Sequence, residues 1–131
     1  MRKMRLYANR FFPFLVQRKF TAADKVLENI KKEIRTTDWQ RGYINSLEGM
    51  LLALRSKDRH VLIKTITSES IGKFNKEFYR QSRNKLLTDF DRGFFTAWND
   101  YLQVLKGLSA RHSVKRKKMV VEFAGDISTI W

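Results

Sequence analysis

Apolar side chains recur along most of this chain at helical spacing. Between residues 39 and 54 they fall at Trp39, Tyr43, Leu47, Met50, Leu51 and Leu54, with Ser46 on the same face. That i, i+4, i+7, i+8 rhythm lays one stripe along an α-helix. Phe90, Phe94, Ala97, Trp98, Tyr101, Leu102 and Leu105 repeat the stripe further on. A shorter amphipathic run precedes each. The first has Ala23, Val26, Leu27, Ile30 and Ile34 inward, the second Ile71, Phe74, Phe78 and Leu86. Residues 4–18 predict a further helix that bends or begins near Pro13, because proline has no N–H to donate and crowds the preceding turn. Residues 57–66 lose the helical period and are rich in β-branched residues, which predicts an ordered connector with extended structure. Met119-Val-Val-Glu-Phe123 is compatible with a strand, a last helical turn or a docked tail.

Polar residues mark the helix starts. Thr37 stands three before Gln40 and Thr88 three before Asp91, the spacing of a capping box, in which a hydroxyl accepts from an unpaired N–H of the first turn. Asp38 and Asp89 then lie near the positive helix ends. Thr21 with Asp24 has the same spacing, and Thr67 or Ser68 is placed to cap the run that follows.

These parallels extend to an ungapped internal repeat. Residues 38–54 (DWQRGYINSLEGMLLAL) match residues 89–105 (DFDRGFFTAWNDYLQVL) at an offset of 51, with Asp, Arg, Gly and two Leu identical. Most of the other apolar positions are matched in kind. The predicted fold is all-α: two repeated antiparallel helical hairpins, about 20–56 and 70–108, plus an N-terminal helix in a compact helical bundle. Residues 1–110 form one domain, and 111–131 a basic C-terminal tail. Gly42 and Gly93 occupy equivalent helix-interior positions, where glycine costs about 1 kcal/mol relative to alanine. Close approach of a neighbouring backbone is the expected compensation, and a hinge the alternative. Gly49, seven residues after Gly42, falls on nearly the same face and fits a tight helix crossing. Residues 38–55 and 89–106 are therefore expected to pack together about an approximate twofold.

Lys19-Phe-Thr-Ala-Ala-Asp-Lys-Val-Leu27 resembles the turn and second helix of a tetratricopeptide repeat, with Phe20, Ala23 and Leu27 as the aromatic, small and large apolar positions. Trp39 and Tyr43 resemble the opening of a following first helix, so the likeness covers roughly residues 10–55. The period of 51 exceeds the usual repeat of about 34 residues. The Asp-aromatic-x-Arg-Gly-aromatic segments also resemble those of small archaeal helical proteins with no established activity. Both resemblances imply architecture, and function has to be argued from a site.

Composition narrows the chemistry. The 131 residues contain no cysteine, which excludes disulfides and thiolate metal sites. No run approaches the ~20 apolar residues of a membrane-spanning helix, and a cytoplasmic location is expected. His60 and His112 stand far apart beside arginines, without the companions of a zinc motif. Neither a Gly-rich phosphate loop nor a nucleophile elbow is present. Asp89, Asp91, Asp100 and Glu48 are the carboxylates with a prospect of converging, although helix-end stabilisation and a solvated face account for them more simply. Arg41 and Arg92, at matched positions, each stand three after an Asp and read as ion pairs, with matched anion contacts as the alternative. No catalytic residue, metal site or cofactor is expected.

What remains is charge. The net charge is +14, and residues 1–20 and 111–131 together carry +9 of it. Lys73, Lys76, Arg80 and Arg83 follow 3, 4, 3 spacing and form a stripe opposite Ile71, Phe74 and Phe78. With Arg111, Lys115, Arg116, Lys117 and Lys118 this stripe is a candidate polyanion-binding surface. A solvated basic face, compensated by Glu69 and Glu77, is the plain alternative. Tyr79, beside Arg80, is the aromatic placed to join such a surface; the others have core spacing. The expected function is a non-catalytic helical-repeat binding module or adaptor for a protein partner, as monomer or homodimer. Direct binding of RNA or a ribonucleoprotein is the alternative. Trp98 lies mid-stripe in the most apolar helix, so Trp98→Ala is expected to cost about 3–5 kcal/mol in a denaturant titration.

Overall fold

Each apolar stripe becomes a helix in the computed structural model, which describes residues 2–34 and 37–115, with side chains for 3–34 and 37–107. The elements are α1 (Arg2–Val16), α2 (Phe20–Glu33), α3 (Asp38–Arg55), α4 (Leu62–Thr65), α5 (Ile71–Ser82) and α6 (Asp89–Lys115). Among the described residues there is no strand.

The starts of α3 and α6 follow the polar signals, and those of α2 and α5 do not. Thr37 and Gln40 form the full capping box, each side chain accepting from the other's backbone N–H at 3.1 Å. Thr88 Oγ1 accepts from Asp91 N–H at 3.1 Å. At α5 neither Thr67 nor Ser68 caps the helix: its N-cap is Ser70, which makes no side-chain cap bond. Thr67 instead exchanges hydrogen bonds with Ser70 in the turn before it, Thr67 Oγ1 accepting from Ser70 N–H at 3.2 Å and Ser70 Oγ from Thr67 N–H at 2.9 Å. Thr21 does not cap α2. Arg18 adopts a left-handed conformation (φ 60°) and Lys19 N–H donates back to Phe14 C=O at 2.8 Å, which ends α1 in a tight turn. The chain then enters α2 one residue before Thr21, with Lys19 at the cap position and Ala23 N–H already bonded to its carbonyl at 3.0 Å. Pro13 lies inside α1, which runs through it.

The connector before α5 also departs from expectation. Its β-branched residues serve burial and not strand pairing: Ile63 and Ile66 are buried, and residues 62–65 form a helical turn against α3. Lys64 is buried there too. Its ammonium donates to the Ser56 and Asp58 carbonyls at 2.5 and 3.0 Å, satisfying acceptors just past the C-terminus of α3.

The core has a definite order of contact. α3 packs most extensively on α6, α6 on α5, α1 on α2 and α2 on α3, and α1 also reaches α6. Tyr43, Tyr101, Phe11 and Phe12 are fully buried, with the Phe12 and Tyr101 rings 5.8 Å apart. Trp98 is buried as expected, 5.4 Å from the Phe78 ring and 6.0 Å from Tyr101. Leu86 is not: it is 93% exposed, because α5 stops at Ser82 and the inward stripe stops with it. Phe90, in the first turn of α6, is 36% exposed and lies at a groove edge with Arg41 and Ile44.

The glycines explain the closeness of α3 and α6. A Cβ on Gly42 would lie 1.9 Å from the Phe90 carbonyl oxygen, and one on Gly93 would lie 2.0 Å from that of Trp39. The two contacts are reciprocal, since each glycine rests on the residue three before the other. Gly49 takes no part in this crossing; it is exposed, with nothing within 4 Å of its Cβ position. Two turns beyond Gly42 along α3, it lies beyond the point of closest approach. Gly42→Ala and Gly93→Ala should each destabilise by about 3 kcal/mol or more, because the obstacle is backbone and cannot rotate away. Gly49→Ala should stabilise by about 0.5–1 kcal/mol through helix propensity alone. Urea denaturation of the three variants checks both signs.

Candidate polyanion-binding face

The face of α5 away from α6 carries the candidate cations. Ile71, Asn75 and Phe78 are buried, while Lys73, Lys76, Arg80 and Arg83 are all exposed. Lys73, Phe74, Lys76, Glu77 and Arg80 line a shallow groove. Glu77 tempers the charge locally. Its carboxylate accepts from Arg80 at 2.5 Å and from Gln81 at 3.0 Å. The Gln81 bond, with Arg80 beside it, holds its carboxyl below the usual range. Glu69 is exposed in the turn before α5. Tyr79 is 51% exposed, and the Arg83 guanidinium, not that of Arg80, lies over its ring, 5.5 Å from the centroid. Arg111 and Lys115 fall within the span of α6 with their side chains outside the described set. Arg116, Lys117 and Lys118 lie outside the described residues.

The other sequence candidates separate. Arg41 pairs with Asp38 at 2.9 Å and Arg92 with Asp89, each within its own first turn. Glu48 is 3.4 Å from Lys31 of α2. Asp91 is exposed at the start of α6. Asp100 instead accepts from the buried Tyr43 hydroxyl at 2.8 Å, with Arg5 at 3.6 Å. The four carboxylates therefore do not converge, and among the described residues no group of His, Asp and Glu could hold a metal. His60 is exposed, and its backbone N–H donates to Asp58 at 2.8 Å.

Two polar clusters escaped the sequence reading. Tyr43, Asp100 and Arg5 tie α3, α6 and α1 together; Tyr43 was legible as a core position, but its partner lies 57 residues away. Asn75 donates to Asn99 Oδ1 at 2.8 Å and accepts from Gln103 at 3.0 Å, joining α5 to α6. The inward i, i+4 placement of Asn75 after Ile71 was the available signal. Both clusters are helix–helix bridges whose polar groups are occupied by one another.

Burial raises the Asp100 carboxyl above the ordinary carboxylate range, against the opposing pull of the Tyr43 hydrogen bond and Arg5. A raised folded value means that the native state holds this proton more tightly than the unfolded chain. The resulting stabilisation is complete below the unfolded value of about 3.9. It is lost as pH rises through the raised folded value. Asp100→Asn removes this titration. The stability of wild type relative to the Asn variant should therefore fall as pH rises from about 3.5 to 7. A constant difference across matched urea titrations would contradict it.

No family model, curated protein or solved structure matches this chain.

Proposed function

We propose that this chain is a non-catalytic helical binding module, built from two related antiparallel hairpins, and that it binds RNA through the outer face of α5. The observation that carries the reading is the joint exposure of Lys73, Lys76 and Arg80 on a helix whose opposite face is committed to the core, with Arg83 exposed at its C-cap. Cations so placed neutralise successive phosphates and release condensed counterions, an affinity that needs no base contact. The basic tail residues Arg111, Lys115, Arg116, Lys117 and Lys118 would extend the electrostatic footprint. The two-hairpin reading is supported by the repeat offset of 51 and by the reciprocal seating of Gly42 on Phe90 and Gly93 on Trp39, as across a twofold axis. The tetratricopeptide-like reading of residues 10–55 adds a scaffold and no site. The proposed setting is the cytoplasm, as monomer or homodimer; no helix among the described residues is long and apolar enough to cross a membrane.

A protein-binding adaptor is the competing reading. Leu6, Leu52 and Leu86 are its most exposed apolar candidates, but they stand on α1, on α3 and in the loop before α6, and singly exposed leucines are ordinary surface. If RNA is the ligand, log affinity should fall linearly with log salt, each phosphate contact adding a slope of about −0.7 for single strands. Replacing Lys73, Lys76, Arg80 and Arg83 by Gln should reduce that slope by about two units, short of the full sum because Arg80 is shared with Glu77. Neutralising Lys115, Arg116, Lys117 and Lys118 should reduce it by about two to three. Mobility-shift titrations at two salt concentrations, beside an equally basic control protein, check this. Equal behaviour of protein and control would reject RNA binding and leave the adaptor reading.

A further inference from the structure

The aromatic residues of α5 have divided fates. Phe74 and Phe78 stack on each other at 6.0 Å, and Phe78 continues onto Phe95 and Trp98 at 5.8 and 5.4 Å. Tyr79 is outside that stack, with half its surface in water. At about 100° per residue, Lys73, Lys76 and Arg80 span about 60° of the α5 circumference, Tyr79 lies about 60° beyond Lys76, and Arg83 follows at the C-cap. It therefore forms the edge of the cationic stripe and not part of the core face. The Arg83 guanidinium over its ring adds a planar cation to the same edge.

We infer that Tyr79, with Arg83, is a base-stacking platform, so that the α5 face takes single-stranded RNA in preference to duplex. This rests on the RNA reading of the same face. An aromatic ring flanked by lysine and arginine offers a base its π-face while the cations follow the backbone. In a duplex the base faces are covered by their neighbours, and only phosphates and groove edges remain to be bound. The stripe alone would hold either form; the ring favours the strand whose bases are free.

The test uses the full chain and fluorescence anisotropy. The probes are an unstructured RNA of about 12 nucleotides, a size within the range such sites cover, its duplex, and single-stranded DNA of the same sequence. Wild type should prefer the single-stranded RNA to the duplex. Tyr79→Ala should weaken single-strand binding about fivefold to a hundredfold, the range expected for one stacked base. The salt slope should not change, because no charge is lost. Tyr79→Phe should retain affinity, and Tyr79→Leu, which keeps apolar bulk without the ring, should lose it. Duplex binding should be indifferent to all three. Because Tyr79 faces water, the variants should melt as wild type does, and Tyr79→Leu guards against a fold effect of the alanine. Unchanged single-strand affinity in Tyr79→Ala and Tyr79→Leu, while the quadruple Gln variant loses binding, would overturn the stacking inference and leave the RNA reading standing. Indifference to the quadruple variant as well would overturn both. A Tyr79→Ala loss seen on DNA and not on RNA would overturn the assignment to RNA.

Discussion

The structure depends on one close contact between two backbones. Where α3 crosses α6, Gly42 lies against the Phe90 carbonyl and Gly93 against that of Trp39, with no room for a methyl group at either place. Packing two helices this closely brings the bulkier residues along each stripe into deep interdigitation, which is how Tyr43 and Tyr101 come to be fully buried. The conformational cost of two helix-interior glycines is thereby offset by contact along the most extensive helix pair in the molecule. α2 packs on α3 and α5 on α6, so both outer helices take their positions from this crossing.

The crossing was visible in advance because its causes are local and doubled. An unusual residue at a costly position, present twice in the same neighbourhood, calls for a common explanation, and backbone approach supplies it. Helix identity was legible for the same reason: the apolar period of Trp39 to Leu54 and the hydroxyl caps at Thr37 and Thr88 act within a turn or two of themselves. Gly49 shows where that logic stops. It shares a face with Gly42, but a crossing is a point and not a line, and only the relative tilt of two helices decides where they part. Thr21 was displaced for a related reason, since the conformation of Arg18 and not the side-chain pattern set where α2 begins.

What was illegible depends on distance along the chain or on atom-level satisfaction. The Tyr43–Asp100–Arg5 cluster links residues whose partnership no periodicity announces. Lys64 reads as an ordinary surface lysine between Ile63 and Thr65; it is buried because carbonyls just past the end of α3 need a donor there. At the candidate site, the shared exposure of Lys73, Lys76 and Arg80 along one side of α5 was legible, since helical spacing fixes angular position. The sequence could not say that Glu77 would be drawn to Arg80 and Gln81, or that Arg83 would settle over Tyr79.

The place of α5 in the packing order carries an energetic consequence. Its extensive contact is with α6, and its outer face sets cations three and four residues apart, where like charges repel by a few tenths of a kcal/mol per pair. Only the Glu77 carboxylate relieves this from within the described part of the helix. Self-repulsion along an outer helix lowers the cost of opening it locally. An anion lying along that face would do more than attach to it: by cancelling the repulsion it would tighten the helix on its neighbour, so that occupancy of the surface and rigidity of the bundle become a single thermodynamic quantity.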